Sequence, residues 1–505
     1  MQTEAPTRWA KVIDQTRCIG CHACTTACKS ENDVPLGVTR TYVKSVDVGT
    51  FPQARRAFQV TRCNQCADAP CVSACPTSAM YTREDGIVDF DKSICIGCKA
   101  CMAACPYDAI FINPDDHSAE KCNFCAHRLD VGLEPACVSV CPTQAILVGD
   151  LDDPASAVAR VVHREPVAVR RPEKDTRPQV FYQGAHGATL DPLAASRPDG
   201  GLFAWSEQAG PVVSGAPAGE RGATSSAAAL LSFDTGHSLP WGWRVSLYTW
   251  TKGLAAGIYL TLLLLVLGGR LADTSPLWLW AAPVGSGSFL ALTGLLLIWD
   301  LQHPLRFPLI FTRPQWRSWL VRGAFVIGAF GLVLALHFLA GFPGWRGLQR
   351  GLAVPGAPLA ALTAIYTGFL FAQAKGRDLW PSPLLPPHLL VQAFVASAAA
   401  LLPLAAWLEP GLTGTLARVL AGSALAHLLF VLGESSLPHV TAHARLATQN
   451  LVRGPQAPFF WAGVAGVAVA LAAPWIGVWA FPFALAGLLA HEHAYVQAGQ
   501  SVPLA

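Results

Sequence analysis

The sequence predicts a chain of two parts: an α+β domain, built from two cysteine-rich modules in tandem, and an all-α bundle of eight transmembrane helices. All sixteen cysteines lie between Cys18 and Cys141, and apolar segments long enough to cross a bilayer recur only after about residue 245. The composition agrees, because 52% of the 505 residues are apolar and only 14% are charged, which favours a membrane protein over a soluble one.

Three segments follow from the change of composition along the chain. Residues 1–165 hold the cysteines among short elements broken by Gly, Pro, Asn and Asp, and residues 244–505 hold the apolar segments. Residues 166–243 contain RRPEKDTRP and a stretch rich in Gly, Ala and Ser. We expect this connector to be flexible, extended and weakly structured.

Charge and the N-terminal residues exclude two further classes. The net charge of +3 is too small to indicate nucleic acid or another polyanionic partner. The residues before the first cysteine contain neither the apolar core of a signal peptide nor a twin-arginine pair, so they do not predict export of the cysteine-rich domain. Export together with a partner that carries its own signal stays open.

The cysteines fall into four groups of four with the spacing of iron–sulfur ligands. Three closely spaced thiolates wrap one [4Fe–4S] cluster, and a fourth, three residues further on and often before proline, reaches the neighbouring cluster. Zinc sites use two pairs of ligands and need no such triplet, and the spacing also disfavours disulfides. We therefore expect four [4Fe–4S] clusters that conduct electrons. The groups are Cys18, Cys21, Cys24 and Cys28; Cys63, Cys66, Cys71 and Cys75; Cys95, Cys98, Cys101 and Cys105; and Cys122, Cys125, Cys137 and Cys141.

Seven apolar segments predict the membrane helices. The last has Pro474 at its centre and is expected to form two short spans that meet at a tight turn, rather than one kinked helix, which makes eight helices. The segments are 247–267, 277–299, 319–339, 352–374, 384–407, 416–432 and 459–490.

Positive charge between these helices predicts their orientation. Ten Lys and Arg lie in connections on the side of the cysteine-rich domain, and four lie on the opposite side. Because positive residues stay on the cytoplasmic face, we expect the cysteine-rich domain on the cytoplasmic side of the inner membrane. The ten are Arg244, Lys252, Arg306, Arg313, Arg317, Arg322, Lys375, Arg377, Arg445 and Arg453, and the four are Arg270, Arg346, Arg350 and Arg418.

The cysteine groups resemble those of the four-cluster ferredoxin-like subunits of molybdopterin oxidoreductases, found with dimethyl sulfoxide, polysulfide and nitrite reductase systems. The C-terminal half resembles the NrfD/polysulfide-reductase family of membrane anchors. That second resemblance rests on DLQHPLRFPLIFTRPQWRSWLVRG at 300–323, YTGFL at 366–370 and VQAGQSVP at 496–503. The two resemblances cover nearly the whole chain apart from the connector, and parts that are usually separate chains are fused here.

The resemblance implies how the groups share clusters: the first pairs with the fourth, and the second with the third. It also implies that quinone or quinol reacts near the cluster-facing side without haem, and that a separate molybdopterin subunit holds the substrate site. The implied cluster sets are Cys18, Cys21, Cys24 and Cys141; Cys122, Cys125, Cys137 and Cys28; Cys63, Cys66, Cys71 and Cys105; and Cys95, Cys98, Cys101 and Cys75.

Alternating helix directions place several polar residues near the same membrane face, where we expect the quinone site. Ionisable residues in a membrane are costly and commonly functional, and quinone chemistry needs proton donors and acceptors beside the ring. The alternative is that these side chains anchor helix ends at the interface. The candidates are Glu434, Asp300, His303, Tyr366, Lys252 and Arg322.

Histidine positions argue against haem, which needs two axial histidines at similar depth. Counting residues along the helices places His337 and His427 at different depths and leaves His388 without a partner at its own depth. The closing His491-Glu492-His493 does not have the HExxH spacing and is a weak indication of a metal site. We therefore predict no haem.

The chain shows no nucleophile, nucleotide loop or molybdenum site, so we interpret it as an electron conduit between a separate catalytic subunit and quinone. One rival is an ion- or proton-translocating module fed by the clusters. Buried acids deep in the bundle would favour it, whereas we expect the acids of this sequence to lie near helix ends. Another is a structural anchor that passes electrons to a separate cytochrome. The substrate of the catalytic subunit stays open.

Overall fold

The computed structural model describes residues 7–196 and 229–505. The chain divides into two compact units. The first comprises Met1–Pro240, Ala374–Arg377 and Ser501–Ala505, and the second comprises Trp241–Gln373 and Asp378–Gln500. The division at Pro240 lies close to the predicted start of the membrane domain at residue 244.

In the described part of the first unit, the strands form four small sheets. The largest has the order β8-β1-β10-β9, a second has the order β11-β2-β3, and β4-β5 and β6-β7 are hairpins. The strands are β1 (Trp9–Asp14), β2 (Thr41–Val48), β3 (Arg55–Arg62), β4 (Met80–Thr82), β5 (Val88–Phe90), β6 (Ile110–Ile112), β7 (Ala119–Lys121), β8 (Ile146–Asp150), β9 (Val167–Ala168), β10 (Val180–Gln183) and β11 (Ala229–Phe233).

Short helices of the first unit begin and end at cysteine motifs. In α2 and α3 the residue that ends the helix is a cysteine followed by proline, and Cys75 and Cys105 both take extended backbone angles. Proline forces this conformation on the residue before it, so each helix stops where its fourth ligand is needed. The helices are α1 (Ala23–Glu31), α2 (Pro70–Ala74), α3 (Ala100–Ala104), α4 (Ala126–Leu129), α5 (Ala136–Ser139), α6 (Ala157–Arg164) and α7 (Gly187–Leu190).

The expectation of an extended connector over 166–243 is wrong at both of its ends. Strand β10 pairs in parallel with β1, with Val180 opposite Lys11, and β11 pairs antiparallel with β2. These segments complete the sheets because the backbone groups of β1 and β2 need partners once they are buried. Part of the Gly/Ala/Ser-rich stretch, residues 197–226, lies outside the described residues.

The second unit contains seven candidate membrane spans by length and composition. Six of them correspond to the predicted segments, with ends that differ by a few residues. They are Trp243–Leu267, Leu277–Trp299, Trp319–Gly341, Arg346–Ala372, Leu385–Leu408, Pro410–Ser436 and Ala457–Gln500. The corresponding helices, with the shorter ones between them, are α8 (Trp243–Leu267), α9 (Ala282–Trp299), α10 (Leu309–Thr312), α11 (Trp319–Gly341), α12 (Arg346–Ala372), α13 (Leu385–Leu408), α14 (Thr413–Ser436), α15 (Ala442–Val452), α16 (Ala457–Val469), α17 (Ala473–Ile476) and α18 (Ala480–Gln500).

The last span, 44 residues long, folds back on itself. A side chain added at Gly466 would lie 2.7 Å from the Cα atom of Gly487, and one added at Gly463 would lie 2.9 Å from the backbone nitrogen of His491. Helices α16 and α18 therefore run in opposite directions in close contact, as small residues permit in membranes. Gly477, with φ +59°, lies in the turn between them.

Helix α8 occupies the centre of the second unit and packs against α9, α12, α13 and α18. Its buried Tyr259 contacts the rings of Trp278 and Phe330, with centroids 5.5 and 5.6 Å away. Gly257 of α8 brings its backbone against α13, where an added side chain would lie 2.9 Å from the Cβ atom of Ser397. The buried polar residues of α8, Lys252 among them, consequently face other helices.

Candidate metal centres and a buried polar network

All sixteen cysteines lie among the described residues, and none forms a disulfide. Twelve are buried, Cys18, Cys98 and Cys141 are half-buried, and Cys21 is exposed. The twelve buried thiols have neither a disulfide partner nor contact with water to compensate their burial. The structure therefore fits the metal-ligand interpretation better than the disulfide alternative.

Two cavities have four cysteines each in their walls, taken from two different sequence groups. Cys75 lines one cavity together with Cys95, Cys98 and Cys101. Cys141 lines the other together with Cys18, Cys21 and Cys24. In each case a triplet meets the lone cysteine of the paired group, which is the arrangement that the resemblance implied.

Thiols of the remaining two sets lie close enough to influence one another electrostatically. Burial, followed by the neighbouring Cys63, raises the pKa of the Cys66 thiol to about 12, and Cys105 adds to the effect. Burial also raises the pKa of the Cys28 thiol, and Cys122, Cys137 and Cys125 raise it further. The side-chain amide of Asn32 lies 3.8 Å from the sulfurs of both Cys28 and Cys125. Thiols brought together at such a cost suit a metal that takes the place of their protons.

Tight loops carry the first two ligands of the first and third groups. Both groups read Cys-Ile-Gly-Cys, and Gly20 and Gly97 have φ of +69° and +67°. This left-handed conformation favours glycine, because a side chain there would clash with the backbone. It turns the chain sharply enough for Cys18 and Cys21 to face one cavity.

Backbone amides and two cations stabilise negative charge on the sulfurs. The amides of Ala145 and Met80 donate to Cys141 Sγ and Cys75 Sγ at 3.2 and 3.4 Å. Arg62 Nη1 lies 3.2 Å from Cys137 Sγ, and Lys11 Nζ lies 3.9 Å from it. Burial alone would raise the pKa of the Cys137 thiol, but Lys11 and Arg62 outweigh it and lower that pKa to about 7.

In the second unit, Lys252 of α8 is fully buried. Its ammonium group donates to the carbonyl oxygen of Ala364 at 2.7 Å and to the hydroxyl of Thr367 at 2.8 Å, both on α12. The same nitrogen lies 5.0 Å from the centroid of the Tyr366 ring. The Tyr366 ring packs on Gly323 of α11, so two of the predicted site residues meet where three helices join.

Glu434 of α14 belongs to a second buried polar cluster. A carboxylate oxygen of Glu434 lies 3.2 Å from Nδ1 of His388, and Nε2 of His388 lies 2.9 Å from Nδ1 of His427. The ring of His491 lies 4.8 Å from that of His427, centroid to centroid. Glu434 thus lies at the edge of a cluster of three histidines from α13, α14 and α18, and it contacts His388 directly.

The expectation that His388 has no partner at its depth is therefore wrong. Counting residues from each helix end assumed that the ends are level, whereas His388 near the start of α13 meets His427, which lies well inside α14. His427 and Glu434 are seven residues apart and share one helix face, which was the available sequence signal. The absence of haem stays a prediction.

The other predicted site residues lie near helix ends. Asp300 ends α9 and is 9% exposed, and His303 precedes the short turn at Pro304–Arg306. Arg322 is exposed, donates from Nε to the carbonyl oxygen of Trp316 at 2.7 Å, and lies over the ring of Trp319. These contacts of Arg322 are those of an interface anchor.

Glu492 is a buried acid that the sequence interpretation placed outside the membrane helices. The apolar segment ends at residue 490, but α18 continues to Gln500, and Glu492 is 5% exposed within it. The expectation that acids occur only near helix ends is wrong for this residue. Lys252 lies within electrostatic range of Glu492.

Comparison with known proteins agrees with this division of the chain. Residues 55–151 match the family described as 4Fe-4S dicluster domain, residues 9–30 match the 4Fe-4S binding domain, and residues 232–480 match the family described as polysulphide reductase, NrfD.

Curated relatives are similar to about a third of the chain. One subunit of the tetrathionate reductase of Salmonella typhimurium is 45% identical over 194 residues, which are 37% of this chain and 76% of the relative. The arsenate respiratory reductase iron-sulfur subunit ArrB of a Shewanella species is 36% identical over 228 residues, or 36% of this chain and 97% of the relative. Protein NrfC of Escherichia coli is 41% identical over 177 residues, or 34% of this chain and 79% of the relative.

Proposed function

This protein belongs to the family of iron–sulfur electron-transfer subunits that includes these relatives, joined here to an NrfD membrane domain, and we propose that it conducts electrons between a separate catalytic subunit and quinone. The observation that carries the proposal is that, in two cavities, a cysteine triplet meets a fourth cysteine from another group. Iron–sulfur clusters supply one-electron transfer when bound, and the residues around the sulfurs set their potentials.

We propose four [4Fe–4S] clusters, one for each set of four thiols. Lys11, Arg62 and the backbone amides near Cys141 and Cys75 hold negative charge on the sulfurs. The burial of most of the sulfurs keeps water from the clusters, which lowers the reorganisation that electron transfer requires.

Metal analysis tests this proposal. The full chain, purified anaerobically, is expected to contain about sixteen iron atoms and sixteen acid-labile sulfides, because four complete cubane ligand sets are present. Replacement of Cys98 by serine, which removes one ligand of the set around Cys75, should lower the iron content by no more than about one quarter. About four irons per chain, or stoichiometric zinc in the cysteine sites, would contradict four clusters.

We further propose that the catalytic partner is a molybdopterin subunit. Relatives named as single subunits of tetrathionate and arsenate respiratory reductases imply other subunits in their complexes. No substrate site is recognisable in the sequence of this chain. We therefore place the site for substrates other than quinone on the partner subunit.

The quinone site that we propose lies in the second unit, among Lys252, Tyr366, Glu434, Asp300 and His303. Lys252 and Tyr366 place an ammonium group and a phenol within one helix junction, and Glu434 adds a partly buried carboxylate that can accept and release protons. Both kinds of group suit a ring that takes up electrons and protons together. The antiparallel contact of α16 and α18 supports eight crossings for this domain.

Orientation is a separate proposal: the cluster domain lies on the cytoplasmic side of the inner membrane. It rests on the ten-to-four bias of Lys and Arg between the spans. Protease added to sealed right-side-out spheroplasts is expected to leave the cluster domain intact, and protease added to inverted vesicles is expected to digest it. Digestion in the spheroplasts, with an intact cytoplasmic marker protein, would place the domain on the outside.

Glu492 supports a second candidate function, translocation of protons coupled to electron transfer. It is a buried acid within a membrane helix, in electrostatic range of the buried Lys252, and a carboxyl group in such a place commonly carries protons. Proton release measured in sealed proteoliposomes separates the two functions. If protons are translocated, more protons are released per quinol oxidised than the oxidation reaction itself produces. Glu492→Gln should abolish that excess.

A further inference from the structure

We propose that His388, His427 and His491 form a binding site for a divalent metal ion of the zinc class, separate from the cysteine sites. The three side chains come from α13, α14 and α18 and are 1, 0 and 2% exposed. One ring nitrogen from each lies within 4.8 Å of the others. Neutral imidazole nitrogens are among the preferred ligands of zinc.

His388 and His427 are already close enough to share an ion, and the His491 nitrogen, which lies within 4.8 Å of theirs, would approach them by up to about 1.4 Å. His388 Nε2 and His427 Nδ1 are 2.9 Å apart, and the His491 ring centroid lies 4.8 Å from that of His427 and 5.6 Å from that of His388. Zinc–nitrogen bonds of about 2.0–2.1 Å in tetrahedral geometry hold two ligand atoms about 3.4 Å apart. The hydrogen-bonded pair would therefore open by about 0.5 Å, and the metal would replace the shared proton.

An unsatisfied nitrogen points independently to a ligand. Nδ1 of His491 is buried and, among the described residues, has no hydrogen-bond partner. Buried polar groups are normally paired, so a cluster that leaves this atom unpaired is incomplete as a hydrogen-bonded core.

The neighbourhood of the three rings has the features of a metal site. A carboxylate oxygen of Glu434 lies 3.2 Å from His388 Nδ1. Carboxylates commonly accept a hydrogen bond from the second nitrogen of a metal-bound histidine and thereby fix the orientation and tautomer of the ring. The carboxylate also offsets the charge of the ion. The ring of Phe430 stacks on His388 at 5.1 Å, and Phe460 lies 6.3 Å from His491, so apolar groups restrict water. Three protein ligands leave a fourth position for water or another small ligand.

Zinc binding by the intact protein tests the site. The protein, purified with its iron–sulfur clusters in detergent through a histidine-free tag, is equilibrated with Zn²⁺ and passed through a desalting column. We expect mass spectrometry to find one zinc per protein, with nitrogen neighbours at about 2.0–2.1 Å and imidazole scattering in zinc-edge X-ray absorption. Zinc below about a tenth per protein, or sulfur neighbours at about 2.3 Å, would overturn the proposal.

Substitutions locate the bound zinc. His427→Gln and His491→Gln should each weaken zinc binding at least about tenfold, since each removes one of three ligands. His493→Gln is the matched control on the same helix, because that ring lies 3.3 Å from the hydroxyl of Ser246 and takes no part in the cluster. A single symmetric peak in size-exclusion chromatography in detergent verifies that the membrane bundle of each variant is folded. If a variant is misfolded, the zinc-edge X-ray absorption of the unmodified protein decides whether the ligands are imidazoles. Equal zinc in all three variants would overturn the site.

Discussion

Glu434→Gln is expected to lower quinone-linked turnover at least about tenfold, which corresponds to about 1.4 kcal/mol of activation free energy. The Glu434 side chain is only 12% exposed, and its carboxylate lies 3.2 Å from Nδ1 of the buried His388. Reduction of quinone takes up protons together with electrons, and an amide of the same size cannot accept and release a proton as the carboxylate does. Electron exchange between the cysteine domain and an artificial dye should be unchanged, because the clusters do not depend on this residue.

Asp300→Asn is expected to act in the same direction, since this carboxylate ends α9 at the face where the quinone site is proposed. Glu409→Gln provides a matched control. Glu409 follows the C-terminal end of α13, whereas His388, the partner of Glu434, lies near the start of that helix. The Glu409 carboxylate accepts a hydrogen bond from the hydroxyl of Ser275, and its loss should leave quinone turnover within about twofold. Wild-type rates in both the Glu434 and Asp300 variants would identify these carboxylates as interface anchors, and an equal loss in Glu409→Gln would indicate general damage to the bundle.

The four cysteine groups could be recognised from the sequence because ligand spacing is a local property. Which groups share a cluster was implied by the family resemblance, and the cavity lined by Cys75, Cys95, Cys98 and Cys101 agrees with that implied pairing. The membrane spans were equally accessible, since length and apolar composition decide them.

The residues around the clusters could not be predicted from the sequence, because strand pairing brings them there. Lys11 and Arg62 lie in β1 and β3, and nothing in their local sequence indicates that both approach Cys137 in α5. The prediction of an extended connector was wrong for a related reason. Its ends supply β10 and β11, whose partners β1 and β2 lie more than a hundred residues away. Short strands with distant partners have weak local signals.

The polar network of the second unit depends on how far each helix slides along its neighbours. Equal residue counts from the helix ends did not place His388 and His427 at one depth, yet their rings are hydrogen bonded. Glu492 was missed because a hydropathy window ends at the first polar run, whereas a helix continues when its polar side chains find partners inside the bundle.

Arg62→Met is expected to lower the midpoint potential of the clusters nearest Cys137 by about 50–100 mV. Arg62 is 2% exposed, and its guanidinium donates to Cys137 Sγ at 3.2 Å, so its charge acts with little screening by solvent. One charge about 8 Å from the added electron, at an effective dielectric constant of about 20, contributes about 2 kcal/mol. For a one-electron couple this equals about 90 mV. Removal of a positive charge makes reduction harder, which gives the shift its sign.

Redox titration followed by electron paramagnetic resonance measures this shift. Arg62→Lys keeps the charge and should restore most of the potential, which separates electrostatics from packing. Arg56→Met is the control on the same strand: its side chain is 54% exposed and paired with Asp47, so solvent screens it and we expect a shift below about 10 mV. Iron content must equal that of the unmodified protein before potentials are compared. A fully loaded Arg62→Met variant with unchanged potentials would mean that the buried guanidinium stabilises the fold around Cys137 without tuning the electron path.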